Sequence, residues 1–68
     1  MLTKSFTGTG FTPDDSLINA NDKIDEFINN QIRNNKKIVE DDREQEGSFL
    51  QTGNYYYCTV KLKYHYDE

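Results

Sequence analysis

The chain has no tryptophan, only one cysteine and one proline, and no long apolar run. The single cysteine, Cys58, cannot form an internal disulfide, which excludes the disulfide-stapled mini-proteins and favours a reducing compartment. No segment approaches the roughly eighteen apolar residues of a membrane span, and residues 1–10 lack the apolar region of a signal peptide. We therefore expect a cytoplasmic protein that does not enter a membrane.

The length limits what the chain can do alone. With 68 residues, a net charge of −4 and 34% hydrophobic residues, we expect a single domain spanning residues 1–68 and no doubly wound cofactor fold or buried catalytic cleft. Ordering a residue costs roughly 1.5 kcal/mol, which so small a core offsets only narrowly. Self-association is therefore expected.

Local patterns predict one strand, one helix and a long hairpin. Residues 2–7 read as a strand, and residues 8–12 as a glycine-containing break. Thr12 and Pro13 have the form of a helix start, although a start as late as Asn21 is an alternative, and Asn34-Asn35 end the helix. The helix carries an apolar stripe with spacings of three and four, formed by Leu17, Ala20, Ile24, Phe27, Ile28 and Ile32.

The period-two alternation over Tyr55–Tyr66 is the strongest structural signal. The preceding Gly53-Asn54 suits a two-residue hairpin loop of type I′ or II′. Counting outward from a Thr52–Tyr55 pair predicts a bend or bulge at Gly47 and five further pairs: Lys61 with Glu46, Lys63 with Glu44, His65 with Asp42, Cys58 with Phe49, and Val60 with Gly47. The charge matches favour this register, because a shift by one residue would turn the acids inward.

These elements predict an α+β fold of β-α-β-β type. A right-handed crossover through the helix leaves the first strand parallel to residues 37–52, with the last strand between them. The sheet order is then 1-3-2, and the amphipathic helix covers one sheet face.

We expect no catalytic, metal or cofactor site. The acidic run of residues 40–46 lacks the spacing of a calcium loop, and its acids at positions 40, 42, 44 and 46 form one row on a strand. Cys58 and His65 fall on opposite faces of one strand, so they cannot act as nucleophile and base. No phosphate-binding loop is present.

The most informative surface is a strand face with aromatic and basic side chains: Tyr55, Tyr57, Lys61, Lys63 and His65. We interpret it as an interaction face for subunit contact, because tyrosine is enriched at interfaces. Stacking of single-stranded nucleic acid on these residues is an alternative. The net charge of −4 and the expected glutamate partners of both lysines disfavour it.

Two groups of small proteins share parts of this pattern. The segments FTGT (6–9), VEDDR (39–43) and CTVKLKY (58–64) resemble the strands of the dodecins. That resemblance implies a β-α-β-β oligomer that binds flavin; dodecins stack flavin on a tryptophan, and no residue here takes that role. The segments DKIDEFI (22–28) and NYYYC (54–58) are similar to small sporulation-associated and uncharacterised proteins of Firmicutes. The Asn, Ile, Lys and Tyr bias also fits a bacterial or phage genome.

The sequence thus predicts a small, non-catalytic homo-oligomer with a structural or interaction role, with another protein as a further candidate partner. Flavin binding of the dodecin type and single-stranded nucleic-acid binding are the alternatives.

Overall fold

A computed structural model of the chain describes residues 1–67. One helix packs on one face of a three-stranded antiparallel sheet, in the chain order β1 (Leu2–Gly10), α1 (Pro13–Arg33), β2 (Ile38–Thr52) and β3 (Tyr55–Tyr66). The strands lie in the order β1-β3-β2, and both outer strands are antiparallel to β3. The predicted α+β class, β-α-β-β sequence and 1-3-2 order are confirmed.

β1 continues to Gly10, beyond the predicted end at residue 7. Residues 8–12 are therefore not simply a break, since Gly8 lies opposite Cys58 in the sheet. A Cβ built on Gly8 would lie 2.2 Å from the backbone nitrogen of Ala20 in the helix. Gly8 therefore lets the helix backbone rest directly on the strand, where any side chain would force the two elements apart.

The helix begins and ends where its capping residues predict. The Thr12 hydroxyl accepts a hydrogen bond of 3.1 Å from the backbone N–H three residues on, and Pro13 occupies the first turn. Asn34 caps the other end, and Asn35 has a φ of 61°, a left-handed conformation that asparagine tolerates. The alternative start at Asn21 is wrong, because the Thr12 cap already supports the first turn.

The core lies between the helix and β3. Its buried apolar members are Ala20, Ile24, Cys58, Val60, Leu62 and Tyr64. Phe6, Leu17, Phe27, Ile28, Ile38 and Tyr66 pack against this cluster and are partly buried. Most of the predicted helical stripe faces the sheet, but Ile32, in the last turn, is 56% exposed.

The hairpin loop is confirmed, and the predicted register holds from Thr52–Tyr55 to Leu50–Tyr57. It then shifts by two residues between Glu46 and Leu50. Gly47 has a φ of 69°, so the predicted irregularity at this glycine is also confirmed. Because the shift is an even number of residues, side chains on either side of it keep the same orientation.

The direct pairs predicted beyond this bulge are wrong. Lys61 lies opposite Glu44, Lys63 opposite Asp42, His65 opposite Val39 and Val60 opposite Gln45, while Cys58 faces the bulge rather than Phe49 alone. The prediction counted a regular ladder, and a bulge adds residues to one strand only. Asp42, Glu44 and Glu46 still lie on the predicted side of the sheet, because a shift of two leaves their orientation unchanged.

A second shift, of one residue, occurs at Asp41. An odd shift reverses the orientation of all that precedes it. Glu40 therefore lies opposite Tyr64 on the helix side, and the predicted single row of acids at 40, 42, 44 and 46 is wrong at Glu40. The same reversal turns Ile38 toward the core, where it lies opposite Tyr66.

Candidate interaction surface on the outer sheet face

β3 places all five predicted interaction residues on one face of the sheet. Tyr55, Tyr57, Lys61, Lys63 and His65 alternate with the buried side chains that meet the helix. They therefore lie on the opposite side, which we call the outer face. No element among residues 1–67 covers this face, so its side chains are available for contact with another molecule.

The basic residues of the outer face are already paired with acids. Lys61 Nζ lies 3.9 Å from Glu46 Oε2, and Lys63 Nζ lies 3.7 Å from Glu44 Oε1. These are the acids predicted for the two lysines, but each is reached diagonally across the strands rather than directly. Such half-exposed pairs contribute only about 0–1 kcal/mol each. Their main effect is to offset the lysine charges locally.

His65 has a different partner from the one predicted. Its Nδ1 lies 2.8 Å from Asp41 Oδ2, whereas Asp42 lies opposite Lys63. The extra residue at Asp41 accounts for the change, because the bulge points the Asp41 carboxylate toward His65. The charged part of the outer face thus contains three neighbouring acid–base contacts, with Asp42 opposite Lys63 beside them.

A pair of threonine hydroxyl groups lies between the charged part and the aromatic part of the outer face. Thr7 on β1 and Thr59 on β3 lie opposite each other, with their Oγ1 atoms 3.0 Å apart. The Ser5 hydroxyl donates to the Glu46 carboxylate. These contacts satisfy polar groups within the sheet and fix the side chains that border the lysines.

The aromatic part contains two residues that the sequence patterns did not single out. Phe11 stacks on Tyr55 with ring centroids 5.1 Å apart and planes at 29°, and Leu50 lies directly opposite Tyr57. Phe11, Leu50 and Tyr55 are exposed by 68%, 67% and 49%. We call the four side chains of Phe11, Leu50, Tyr55 and Tyr57 the aromatic patch. Recognising that β1 extends past residue 7 would have brought Phe11 beside the end of β3.

The two candidate reactive side chains are far from forming a catalytic pair. Cys58 is 1% exposed on the helix side, and burial raises the pKa of its thiol. His65 is exposed on the outer face and contacts Asp41. An open depression of about 400 Å³ at the end of the helix contains neither residue; it is lined by Asn34, Asn35, Lys36, Lys37, Tyr66 and Asp67.

Arg43, also unrecognised in the sequence, ties β2 to the helix. Its guanidinium contacts Glu40 (2.5 Å) on the same strand and Asp25 (2.6 Å) on the helix, and it donates to Asn21 Oδ1 (3.2 Å). The hydrogen bond with Glu40 is the largest cause that raises the pKa of Arg43. This cluster belongs to the helix side and orients β2 rather than contributing to the outer face.

Residues 1–67 contain neither a metal-binding cluster nor a membrane-spanning helix. Within that range, no three His, Cys, Asp or Glu side chains are grouped so that they could hold an ion. None of the helical structure there combines the length and apolar character of a transmembrane segment.

Comparison with known proteins leaves the outer face as the main guide to function. No family model, no curated protein and no solved structure matches this chain. The resemblances to dodecins and to small sporulation-associated proteins therefore stay predictions.

Proposed function

We propose that this protein is a non-catalytic structural or interaction module that acts as a homo-oligomer. The observation that supports this proposal best is that more large apolar side chains are exposed than are buried in the core. Six apolar residues form the buried core. In contrast, nine large apolar side chains within residues 1–67 are exposed: Met1, Leu2, Phe11, Ile18, Ile32, Val39, Phe49, Leu50 and Tyr55.

Covering part of this surface supplies the driving force for association. Removing apolar area from water contributes roughly 25 cal/mol per Å², and a single copy leaves that contribution unused at these nine positions. Because one small core offsets the ordering entropy only narrowly, contact with further copies would also stabilise the fold. Three of these side chains, Phe11, Leu50 and Tyr55, lie together on the uncovered outer face.

The placement of reactive groups supports a role without catalysis. Cys58 and His65 lie on opposite sides of the sheet, so no proton can pass directly between them. The thiol is buried and its pKa is raised, which reduces the fraction present as the nucleophilic thiolate. A binding or structural role therefore fits these side chains better than covalent chemistry.

Nucleic-acid binding is a weaker candidate for the outer face. Lys61 and Lys63 lie within 4 Å of glutamate oxygens, and the chain carries a net charge of −4. A polyanion would have to displace these acids before gaining from the lysines. Flavin binding rests on the dodecin resemblance alone, and the chain has no tryptophan on which a flavin could stack.

Native mass spectrometry of the freshly purified protein tests this proposal. We expect an assembly whose mass is a whole-number multiple of 8.0 kDa with no retained small molecule. A mass excess matching a flavin would favour the dodecin-like alternative. A monomer at every accessible concentration would contradict the homo-oligomer.

A further inference from the structure

The fold brings together the two longest uncharged stretches of the chain. Although 29% of residues are charged, none occurs in residues 5–13 or in residues 47–60. In the sheet, Gly10 lies opposite Tyr56, and the next residue, Phe11, stacks on Tyr55. Among residues 1–67, no charged side chain lies at this end of the outer face, and the exposed aromatic patch occupies that end.

In the described part of the chain, the carboxylates nearest this end lie on the other side of the sheet. Asp14 and Asp15 lie in the first turn of the helix, and Asp15 packs beside the helix-facing side of Gly10. Their charge is partly offset there by the positive end of the helix dipole. The acids of β2 that share the outer face lie beyond the bulge at Gly47.

The strand edges are poor sites for self-association. On β1, Lys23 Nζ donates to the Thr7 carbonyl at 2.6 Å, and the Asn19 side-chain amide donates to the Thr9 carbonyl. The edge of β2 is interrupted by two register shifts and carries a run of acids. Covered carbonyls, bulges and charges are the features by which proteins prevent strand addition at an edge. Contact between copies is therefore expected on a face.

We infer that two copies of this chain meet through the aromatic patch, patch against patch, about a two-fold axis. This inference rests on the proposed homo-oligomeric function and identifies its contact surface. Each copy carries a net charge of −4, so two copies repel wherever their charged parts approach. The patch is the exposed apolar surface at which they approach with the least repulsion, and aromatic rings pack well against their own kind.

The size of the patch suits a small interface. An aromatic side chain carries on the order of 200 Å², so the exposed parts of Phe11, Leu50 and Tyr55 amount to roughly 300 Å² in each copy. A standard interface buries about 800 Å² per partner, with an apolar centre and a polar rim. The exposed side chains of Thr9 and Thr52, which lie opposite Tyr57 and Tyr55 on the outer face, belong to that rim. We expect a dissociation constant in the micromolar range.

Opposite charges placed at Leu50 test both the location and the symmetry of the contact. In sedimentation velocity, we expect Leu50→Glu and Leu50→Lys each to weaken association by more than about tenfold. An equimolar mixture should associate more strongly than either variant alone, because glutamate then faces lysine across the two-fold axis. Ile18→Glu is the matched control, since Ile18 is 55% exposed on the helix and Leu50 is 67% exposed. It should associate like the unmodified chain.

The outcomes separate this inference from the function on which it rests. If the unmodified chain associates, and Ile18→Glu weakens association while Leu50→Glu does not, the inferred contact is overturned and the homo-oligomer stands. If the equimolar mixture of Leu50→Glu and Leu50→Lys has no higher average mass than either variant alone, the two-fold arrangement is overturned. A monomeric unmodified chain overturns the proposed function itself. Circular dichroism checks the fold of each variant, and Phe11→Ser carries the same expectation should Leu50→Glu fail to fold.

Discussion

Gly8 determines how closely the helix lies on the sheet. A Cβ at this position would lie 2.2 Å from Ala20 N and 2.3 Å from the Ser16 carbonyl oxygen. Both are backbone atoms of α1, so no side-chain rotation can relieve the overlap. Glycine is required here by the neighbouring helix rather than by its own backbone angles.

We expect Gly8→Ala to lower the free energy of unfolding by about 3 kcal/mol. Urea denaturation followed by circular dichroism measures this loss. Gly47→Ala is the control, because nothing lies within 4 Å of a Cβ there and only its φ of 69° is unfavourable. Its cost should be about 1 kcal/mol. Equal losses in the two variants would contradict the close approach of helix and strand.

Cys58 should be protected from alkylation in the folded protein. Its side chain is 1% exposed, and burial raises the thiol pKa above its ordinary value of 9.0. Near pH 8, iodoacetamide should react at least about 100-fold more slowly with the native chain than with the chain in urea. Mass spectrometry over time gives both rates, and similar rates would show that the thiol is accessible.

The raised pKa of Cys58 also fixes the direction of its pH effect. A thiol that is harder to ionise in the folded state contributes stability that is fully present below the unfolded-state value, near 9.0. That contribution is lost as the pH rises through the folded-state pKa. Between neutral and alkaline pH, the free energy of unfolding should therefore fall less in Cys58→Ala than in the unmodified chain.

At the scale of secondary-structure elements, Arg43 connects β2 to the helix. Its guanidinium reaches Asp25 and Asn21 on α1 while it contacts Glu40 on its own strand. Its side chain is 25% exposed, whereas that of Asp25 is 57% exposed. The cluster is therefore partly screened by water, and its contribution lies below that of a buried ion pair.

We expect Arg43→Ala to lower the free energy of unfolding by about 1–2 kcal/mol. The matched control is Arg33→Ala, because Arg33 is exposed in the last turn of the helix and should change stability by less than about 0.5 kcal/mol. A double-mutant cycle with Asp25→Ala isolates the contact between helix and strand. If the effects of the two substitutions were simply additive, the stabilising contact between Arg43 and Asp25 would be contradicted.

Local sequence signals were sufficient for the types and order of the elements, because each depends on nearby residues. The Thr12-Pro13 start, the Asn34 end and the Gly53-Asn54 loop are examples. The end of β1 was missed because a glycine required by a neighbouring helix looks the same in sequence as a glycine in a turn. The bulge at Asp41 was missed because nothing local marks it; the contacts on either side of it, of Ile38 with the core and of Arg43 with the helix, involve distant segments of the chain.

Local sequence patterns also predicted part of the candidate interaction surface. Alternation alone places Tyr55, Tyr57, Lys61, Lys63 and His65 on one face. Glu46 and Glu44 lie diagonally from Lys61 and Lys63 because the register shifts by two residues. Gly47 indicates an irregularity in the strand but not the size of that shift. Phe11 and Leu50 lie beside Tyr55 and Tyr57 because strands from distant segments pair. Local sequence patterns do not predict that pairing.

At the scale of the whole molecule, charge and apolar surface are separated along the outer face. The chain measures 44 × 21 × 13 Å, an elongated shape in which most side chains lie near the surface. The acid–base contacts occupy one part of the sheet, and the aromatic patch lies at an uncharged end. For the proposed homo-oligomer, this separation provides an uncharged contact surface on copies that each carry a net charge of −4.

Association through the patch should respond to salt in a characteristic way. Raising sodium chloride from about 50 mM to about 500 mM screens the repulsion between copies and leaves apolar contact intact. We therefore expect the dissociation constant to stay constant or to fall, as measured by sedimentation velocity. A steep rise with salt would instead indicate contact through the charged part of the outer face.

Sedimentation equilibrium of the unmodified protein, from about 1 μM to several hundred μM, measures whether this small chain forms the proposed homo-oligomer. We predict an average mass that rises with concentration toward a whole-number multiple of 8.0 kDa. A mass of 8.0 kDa at every concentration would contradict the proposed homo-oligomer.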